Sequence, residues 1–571
     1  MIRIWGMLDK KKLAIIFSIM VFEAVSLLFL PTIAAKILNV AARTGSQSGI
    51  WQYGSWMLVA SLMTIVLAFI SVRMCAKESQ GLGNHLRKQI FSQVMAFSQD
   101  DLSRFETSTL ITRTTNDVMQ IQIITMMTLR MIVMTPIIVA VSAYFAYQTQ
   151  SELAWIYWIT LPLICVLVFV IMRIVTPIYR RVQSIMDRLN KVFREGLTGV
   201  RVIRAFNTST YEEARFDEVN QDYRDTNVKG FSIMSLLLPS LLLVVGVSNV
   251  LIFTQGVKLI EVGIMEVGNI IAYIQYSNQI LMSILMVGML FIFIPRAQVS
   301  ADRILEVLDT KASIQSVKDP RPIPQDGPWQ LSFQGVDFGF PQAQRPAVSK
   351  LNFTVNQGET LAIIGGTGSG KTTIANLIPR LYEASAGAVR LNGVDVRLLD
   401  QEALRTCIGY ATQKAMLFAG TIRSNLLYGK SNATDEQLWR ALDIAQADFV
   451  RDLPEGLDAR VEQAGNNFSG GQKQRLSIAR AIVSQPAIYL FDDSFSALDF
   501  KTDAKLRQAL KENIQDAIII IIAQRVSTVM DADQILVLDN GQIVGRGSHQ
   551  SLLDSNPVYQ EIVRSQIKEE G

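Results

Sequence analysis

The nine residues Gly365-Gly366-Thr367-Gly368-Ser369-Gly370-Lys371-Thr372-Thr373 fit the pattern G-x-x-x-x-G-K-[ST]. An apolar, strand-like run, Leu361-Ala362-Ile363-Ile364, leads into them, and a helical pattern, Ile374-Ala375-Asn376-Leu377-Ile378, leads out. A glycine-rich loop between a strand and a helix turns its backbone N–H groups and the helix N-terminus toward phosphate oxygens. Lys371 is then expected against the β- and γ-phosphates of a nucleotide, and the Thr372 hydroxyl on Mg²⁺.

Outward from this loop, residues 329–571 have the length of one large α/β domain. Strand-like runs at Leu361–Ile364, Ile488–Phe491, Ile518–Ile522 and Gln534–Leu538 alternate with helical ones, as in a mostly parallel sheet. The loop then lies at the carboxyl end of a strand, where such sheets bind ligands. Ala487-Ile488-Tyr489-Leu490-Phe491-Asp492-Asp493 reads as a buried strand ending in carboxylates, with Asp492 suited to hold Mg²⁺. Phe468-Ser469-Gly470-Gly471-Gln472 precedes a basic, helix-forming stretch, Lys473-Gln474-Arg475-Leu476-Ser477. Ser-Gly-Gly at a helix start presents backbone N–H groups and a hydroxyl to a second phosphate group. Residues 311–328, with four prolines and scattered charges, read as a linker.

Residues 1–310 are of another kind. The whole chain of 571 residues is 49% hydrophobic and only 18% charged, with a mean hydropathy of +0.26, as expected of a membrane protein with a soluble part. Its net charge of +4 gives no case for a nucleic-acid partner. Cys75, Cys165 and Cys407 lie too far apart for a disulfide framework or a metal site, and no cleavable signal peptide is expected. Six apolar stretches reach the roughly 20 residues a bilayer crossing needs: Leu13–Leu38, Tyr53–Val72, Met131–Tyr147, Leu153–Met172, Phe231–Gly256 and Val267–Pro295. Arg130 bounds the third on its short side. Lys10, Lys11 and Lys12 precede the first span, and the two long connections, 74–130 and 173–230, are rich in Lys and Arg. Both termini and both connections are therefore expected in the cytoplasm. Each connection reads as an amphipathic helical hairpin reaching about 38 Å if ~25 residues are helical. Their tips are expected near Thr112–Val118 and Phe206–Ser209. Glu23, the one carboxylate well inside a span, is expected to face the bundle interior, either on substrate or bonded to a neighbouring helix.

Taken together, the chain resembles an ABC exporter half-transporter. The resemblance covers both halves. It rests on the glycine-rich loop, Gln413 in Gly409-Tyr410-Ala411-Thr412-Gln413, Ser469-Gly470-Gly471-Gln472, the Asp492 strand and Ser496-Ala497-Leu498-Asp499. In the membrane half it rests on Thr115-Asn116-Asp117-Val118 and on Glu195 to Ile203. The resemblance implies an all-α six-helix membrane domain followed by an α/β P-loop ATPase domain. Two such domains would pair head to tail with two ATP molecules between them. Phe340 would stack on adenine, and Gln413 would touch Mg²⁺ and sense the connection tips. Ser469, Gly470 and Gly471 would contact the γ-phosphate of ATP held by the other chain, and Asp499 would lie between the two domains.

The sequence departs from the family pattern in three places. The Glu usual after the Mg²⁺-binding Asp is Asp493, one methylene shorter, which spoils placement where reach is critical. The usual Ile-Ala-His-Arg reads Ile522-Ala523-Gln524-Arg525, and Gln524 cannot carry a positive charge. The two histidines of the chain, His85 and His549, are not placed to substitute. The Glu usual just before the signature is Gln463. Asp493 and Gln524 fall in one site, so the expectation is a P-loop site that binds ATP and hydrolyses it slowly. The partner is then a homologous half-transporter with intact Glu and His, completed by this chain's signature, in which Phe468 replaces the usual Leu. The alternatives are a slow homodimeric exporter and a nucleotide-gated regulatory membrane protein. Met282, Met286, Met289, Phe291 and Phe293 are candidates for an adaptable apolar surface toward hydrophobic substrates and lipid.

Overall fold

The computed structural model describes residues 1–290, 293–324, 327–341 and 343–569. Two compact units emerge, one from Met1–Val94 with Ser108–Thr310, the other from Met95–Thr107 with Lys311–Gly571.

The first unit is all helix. Among the described residues six helices, Lys10–Arg43, Gln47–Ala96, Thr107–Thr149, Ser151–Thr198, Ser209–Glu261 and Val267–Val287, are long and apolar enough to cross a membrane. Helix is the form a single lipid-facing segment adopts, because it satisfies every backbone N–H and C=O internally. The first begins at Asp9, whose carboxylate accepts from Lys11 N, and ends at Gly45 in the left-handed region. Met20, Ala24 and Leu28, spaced to share one face, pack into a core with Ile137, Tyr273 and Tyr276. Glu23 is buried on this bundle, 3% exposed. It takes both forks of Arg130 at 2.7 and 2.8 Å and the Ser71 hydroxyl at 2.6 Å. Of the two roles open to Glu23, the bond to neighbouring helices is the one formed here. The pair also explains why the third span has no boundary at Arg130: its charge is matched from inside the bundle, and the helix continues from Thr107 to Thr149.

The long connections are helical extensions of the spans, and one expectation about them needs correction. Thr112–Val118 is no tip. Arg113 and Asp117 are buried in the first unit, on a π-helical turn. Ser300 Oγ donates to Asp117 at 2.7 Å, and Arg113 pairs with Glu306 at 2.9 Å. The turn comes earlier, around the short helix Gln99–Phe105. The second connection breaks where expected, at Phe206 to Thr208 between helices Val200–Ala205 and Ser209–Ser235. Met282 and Met286 are exposed on the last span, Phe293 is half-buried, and Phe291 and the Met289 side chain lie outside the described residues.

Among its described residues the second unit holds three sheets. Strands β1 (Gln330–Phe338), β2 (Val348–Asn356), β4 (Ala386–Leu391) and β5 (Val394–Asp395) form an antiparallel sheet in the order β2-β1-β4-β5. A six-stranded sheet runs β12-β11-β3-β10-β9-β6. Its strands are β3 (Thr360–Gly365), β6 (Ile408–Ala411), β9 (Ile488–Asp492), β10 (Ile518–Ala523), β11 (Gln534–Asp539) and β12 (Gln542–Gly547). All are parallel to their neighbours except β12. The small pair β7 (Gly420–Thr421) and β8 (Arg460–Val461) completes the set. The continuous apolar runs have a simple cause: both faces of the large sheet are covered. Ile518, Ile520 and Ile522 enter one core, and Ile519 and Ile521 the other. Because β3, β10 and β9 are adjacent and parallel, their carboxyl ends bring Gly365, Ala523 and Asp492 to one edge.

The segment Met95–Thr107 folds with this second unit. Ser98 caps the helix Gln99–Phe105, with a reciprocal bond from Asp101. Asp101 Oδ2 also accepts from Ser313 N at 3.0 Å and Ser313 Oγ at 3.1 Å. Phe97 and Phe105, both buried, stack at 5.7 Å.

Candidate functional site

The loop after β3 needs glycine at its closest approaches. A Cβ on Gly370, at φ 101°, would lie 2.6 Å from Val348 Cγ1, and one on Gly365 would lie 2.3 Å from Leu538 O. The chain turns at Thr367-Gly368, with Ser369 N donating to Gly366 O at 3.3 Å, before Lys371 opens the helix Lys371–Leu377. Lys371 Nζ folds back inside the loop, donating to Gly365 O at 2.8 Å, to Gly366 O at 2.7 Å and to Ser369 Oγ at 3.5 Å. Burial pushes its pKa down, against the pull of Asp493 and Asp492. A buried cation that rests on carbonyls is ready to exchange those acceptors for phosphate oxygens. Thr373 is buried at the helix base.

Thr372 Oγ1 donates to Asp492 Oδ1 at 3.3 Å. Asp492 is 1% exposed, and its Oδ2 has no hydrogen-bond partner. Burial, and after it Asp493, raises its pKa, while Thr372, Tyr410 and Lys371 oppose the shift. An orphaned carboxylate oxygen beside a hydroxyl is a hard-oxygen donor pair, and it fits Mg²⁺, which takes one or two protein oxygens beside phosphate and water. Among the described residues no group of three His, Cys, Asp or Glu forms a metal cluster of its own.

Asp493 follows at φ 49°, in the left-handed region, its N–H bonded to Ile522 O at 2.8 Å. Two amides converge on one carboxylate oxygen. Gln413, just past β6, donates to Asp493 Oδ2 at 3.3 Å, and Gln524, just past β10, donates to the same atom at 3.3 Å. Gln566 braces the β10 end, accepting from Val526 N at 2.8 Å and donating to Gln524 O at 2.7 Å. Thus Lys371, Thr372, Gln413, Asp492, Asp493 and Gln524 share one edge of one sheet.

The remaining candidates form a second group. Ser469 caps the helix Gly470–Val483, and Gln472 returns its carbonyl to Ser469 N at 2.9 Å. Asp499 caps the helix Phe500–Asn513, and the Thr502 hydroxyl bond lowers its pKa. The ring of Phe340, 39% exposed, lies nearly perpendicular to those of Phe338 and Tyr382. Gln463 lies in the short turn Gln463–Gly465. Among the described residues no hydrogen bond joins Ser469–Gln472 to the glycine-rich loop.

The family model for the ABC transporter transmembrane region matches residues 13–284, and the ABC transporter model matches residues 348–496. An uncharacterised ABC transporter ATP-binding protein of Mycobacterium tuberculosis is 39% identical over 562 residues, 98% of this chain and 96% of that relative. The chain belongs to the ABC transporter family. The ABC transporter ATP-binding protein YfiB of Bacillus subtilis is 33% identical over 97% of this chain and 96% of its own length. YheI of the same organism, described as a "probable multidrug resistance ABC transporter ATP-binding/permease protein", is 32% identical over 83% and 81%. The fold matches a bacterial Atm1-family ABC exporter solved with ATP bound, with a TM-score of 0.78 over 98% of both chains at 24% identity. This ABC transporter is therefore a multi-pass membrane protein that joins six membrane helices to an ATPase domain in one chain, and that domain implies ATP binding. One residue of its second group was not singled out by motif. Gln474, read only as part of a basic helical stretch, is buried and bonded to the Ser496–Leu498 segment. Burial of a Gln inside an otherwise ordinary amphipathic pattern leaves no signal in sequence.

Proposed function

We propose that this chain is one subunit of a heterodimeric exporter, in which its own P-loop site binds ATP and turns it over slowly while its signature completes a competent site on a homologous partner. The observation that carries this reading is the arrangement at Asp493. Its carboxylate is tethered by Gln413 and Gln524, and among the described residues no histidine hydrogen-bonds to it. A water-orienting base needs free lone pairs and reach toward the γ-phosphate. Asp493 is short of reach and holds its Oδ2 against two amide donors. Gln524 donates a neutral hydrogen bond where an imidazolium would add charge.

In this reading Lys371, Thr372 and Asp492 hold nucleotide and Mg²⁺, and Phe340 stacks on the adenine. A bound Mg²⁺ neutralises charge on the β- and γ-phosphates. Ser469, Gly470 and Gly471 face the γ-phosphate of the partner's ATP, and Asp499 lies between the domains. Domain closure on ATP switches the membrane helices from inward- to outward-facing, with both termini cytoplasmic in a bacterial plasma membrane. The exposed Met282 and Met286 and the multidrug description of YheI support hydrophobic substrates.

The test is ATPase turnover of the chain purified alone in lipid, beside Lys371→Ala. We expect retained ATP binding with turnover no higher than the control. Robust turnover that Lys371→Ala abolishes would replace the heterodimer with a homodimeric pump.

A further inference from the structure

The two groups of the candidate site are joined by a short chain of polar contacts that passes through Gln474. Its carboxamide is buried between the helix Gly470–Val483 and the segment 496–498. Gln474 Oε1 accepts from Ala497 N at 3.0 Å, and Gln474 Nε2 donates to Ser496 Oγ at 3.4 Å. Ser496 Oγ in turn donates to Asp493 O at 2.8 Å. Three residues before Gln474 on the same helix, a Cβ on Gly471 would stand 3.0 Å from Ala497 O, so the signature helix already rests on this backbone. The far end of the segment is Asp499, fixed by Thr502.

We infer that Gln474 is a positioning residue that ties the signature helix to the Asp493–Asp499 segment, so that the γ-phosphate face of this chain's own site and the surface it offers to the other chain's ATP move as one body. Gln is suited to this because its amide donates and accepts at once along one plane. The buried carboxamide uses both functions, and a side chain lacking either leaves a buried group unpaired. The assignment rests on the reading that the signature acts across the interface. It holds whether the opposite chain is a partner or a second copy.

The experiment uses the assembled transporter, purified from membranes through a tag on this chain and placed in lipid, with Gln474→Met, Gln474→Glu and Lys371→Ala. Gln474→Met keeps length and volume and loses both hydrogen bonds. We expect its kcat to fall on the order of tenfold, the equivalent of one or two lost hydrogen bonds in positioning. The KM for ATP and photolabelling of this chain by an azido-ATP should stay unchanged, while the Tm falls by no more than a few degrees for the unpaired Ala497 N–H. Gln474→Glu, which keeps the acceptor for Ala497 N, should recover part of kcat. Unchanged kcat in Gln474→Met would overturn the proposal. Equal losses of kcat, labelling and Tm would reduce Gln474 to a packing residue and overturn it as well. Lys371→Ala separates the two readings. If it leaves turnover high, hydrolysis belongs to the other chain's site. If it abolishes turnover, the heterodimer fails while the Gln474 comparison still stands.

Discussion

Burial holds the Asp492 carboxyl above its ordinary pKa, so in the nucleotide-free protein its ionisation is a strain on the fold. The sign follows from linkage. A carboxyl raised in the folded state contributes stability that is fully present below the ordinary value of 3.8 and is lost as pH rises through the folded pKa. Asp492→Asn, neutral throughout, should therefore melt higher than the parent at pH 7, and the gain should vanish toward pH 4. The same variant should lose the Tm increase that Mg-ATP gives the parent. A thermal-shift series over pH, with and without Mg-ATP, reads both effects. Glu23 poses the opposite case, a buried charge already matched. Removing one member of such a pair leaves the other uncompensated, so Arg130→Ala should cost about 3 kcal/mol. Glu23→Gln combined with Arg130→Gln should recover much of that loss. Thermal unfolding in lipid of the single and double variants checks this, and an equal loss in both would show that the pair contributes no more than its packing.

The short helix Gln99–Phe105 illustrates what elements owe to distant sequence. Its cap is local and legible, Ser98 with Asp101 three residues on. Its docking is not, because Asp101 also holds Ser313, 212 residues away. Burial pushes the Asp101 carboxyl up, but bonds from Ser313 and Ser98 outweigh it and hold the pKa below its ordinary value. The clasp is thus formed at neutral pH and is lost as pH falls through the folded pKa. Asp101→Asn should raise amide exchange across 95–107 several-fold and leave the strands of the large sheet unchanged. Uniform exchange throughout the second unit would remove the clasp from consideration. The same tertiary dependence explains which elements could be read in advance. The six spans and the strands β3, β9, β10 and β11 were legible because each is a long apolar run with one physical explanation. The tip of the first connection was misread because Thr112–Val118 looks polar and turn-like alone. Partners of Arg113 and Asp117, among them Glu306, the Arg303 carbonyl and Ser300, lie far along the chain. Arg130 looked like a boundary for the same reason.

On the proposed reading of the whole molecule, the chain has one poor catalytic edge and one well-built signature. Both observations bear on a single reconstruction. The left-handed backbone at Asp493 favours Asp over Glu, since short polar side chains tolerate φ near 49° best. Asp493→Glu alone should therefore lose roughly 1 kcal/mol of stability and gain little activity, because Gln524 still offers no charge. Gln524→His alone restores the imidazole without the reach. The double variant Asp493→Glu with Gln524→His supplies both, and the intact Ser469-Gly470-Gly471 of a second copy can then close the site. In lipid, the double variant purified alone should hydrolyse ATP at least about tenfold faster than the parent, a barrier change near 1.4 kcal/mol. Lys371→Ala should abolish that gain. If the double variant stays inactive while still binding ATP, the two substitutions are not what limits the site. The cause must then be sought in the pairing surface, where Gln463 and Phe468 are the residues to restore next.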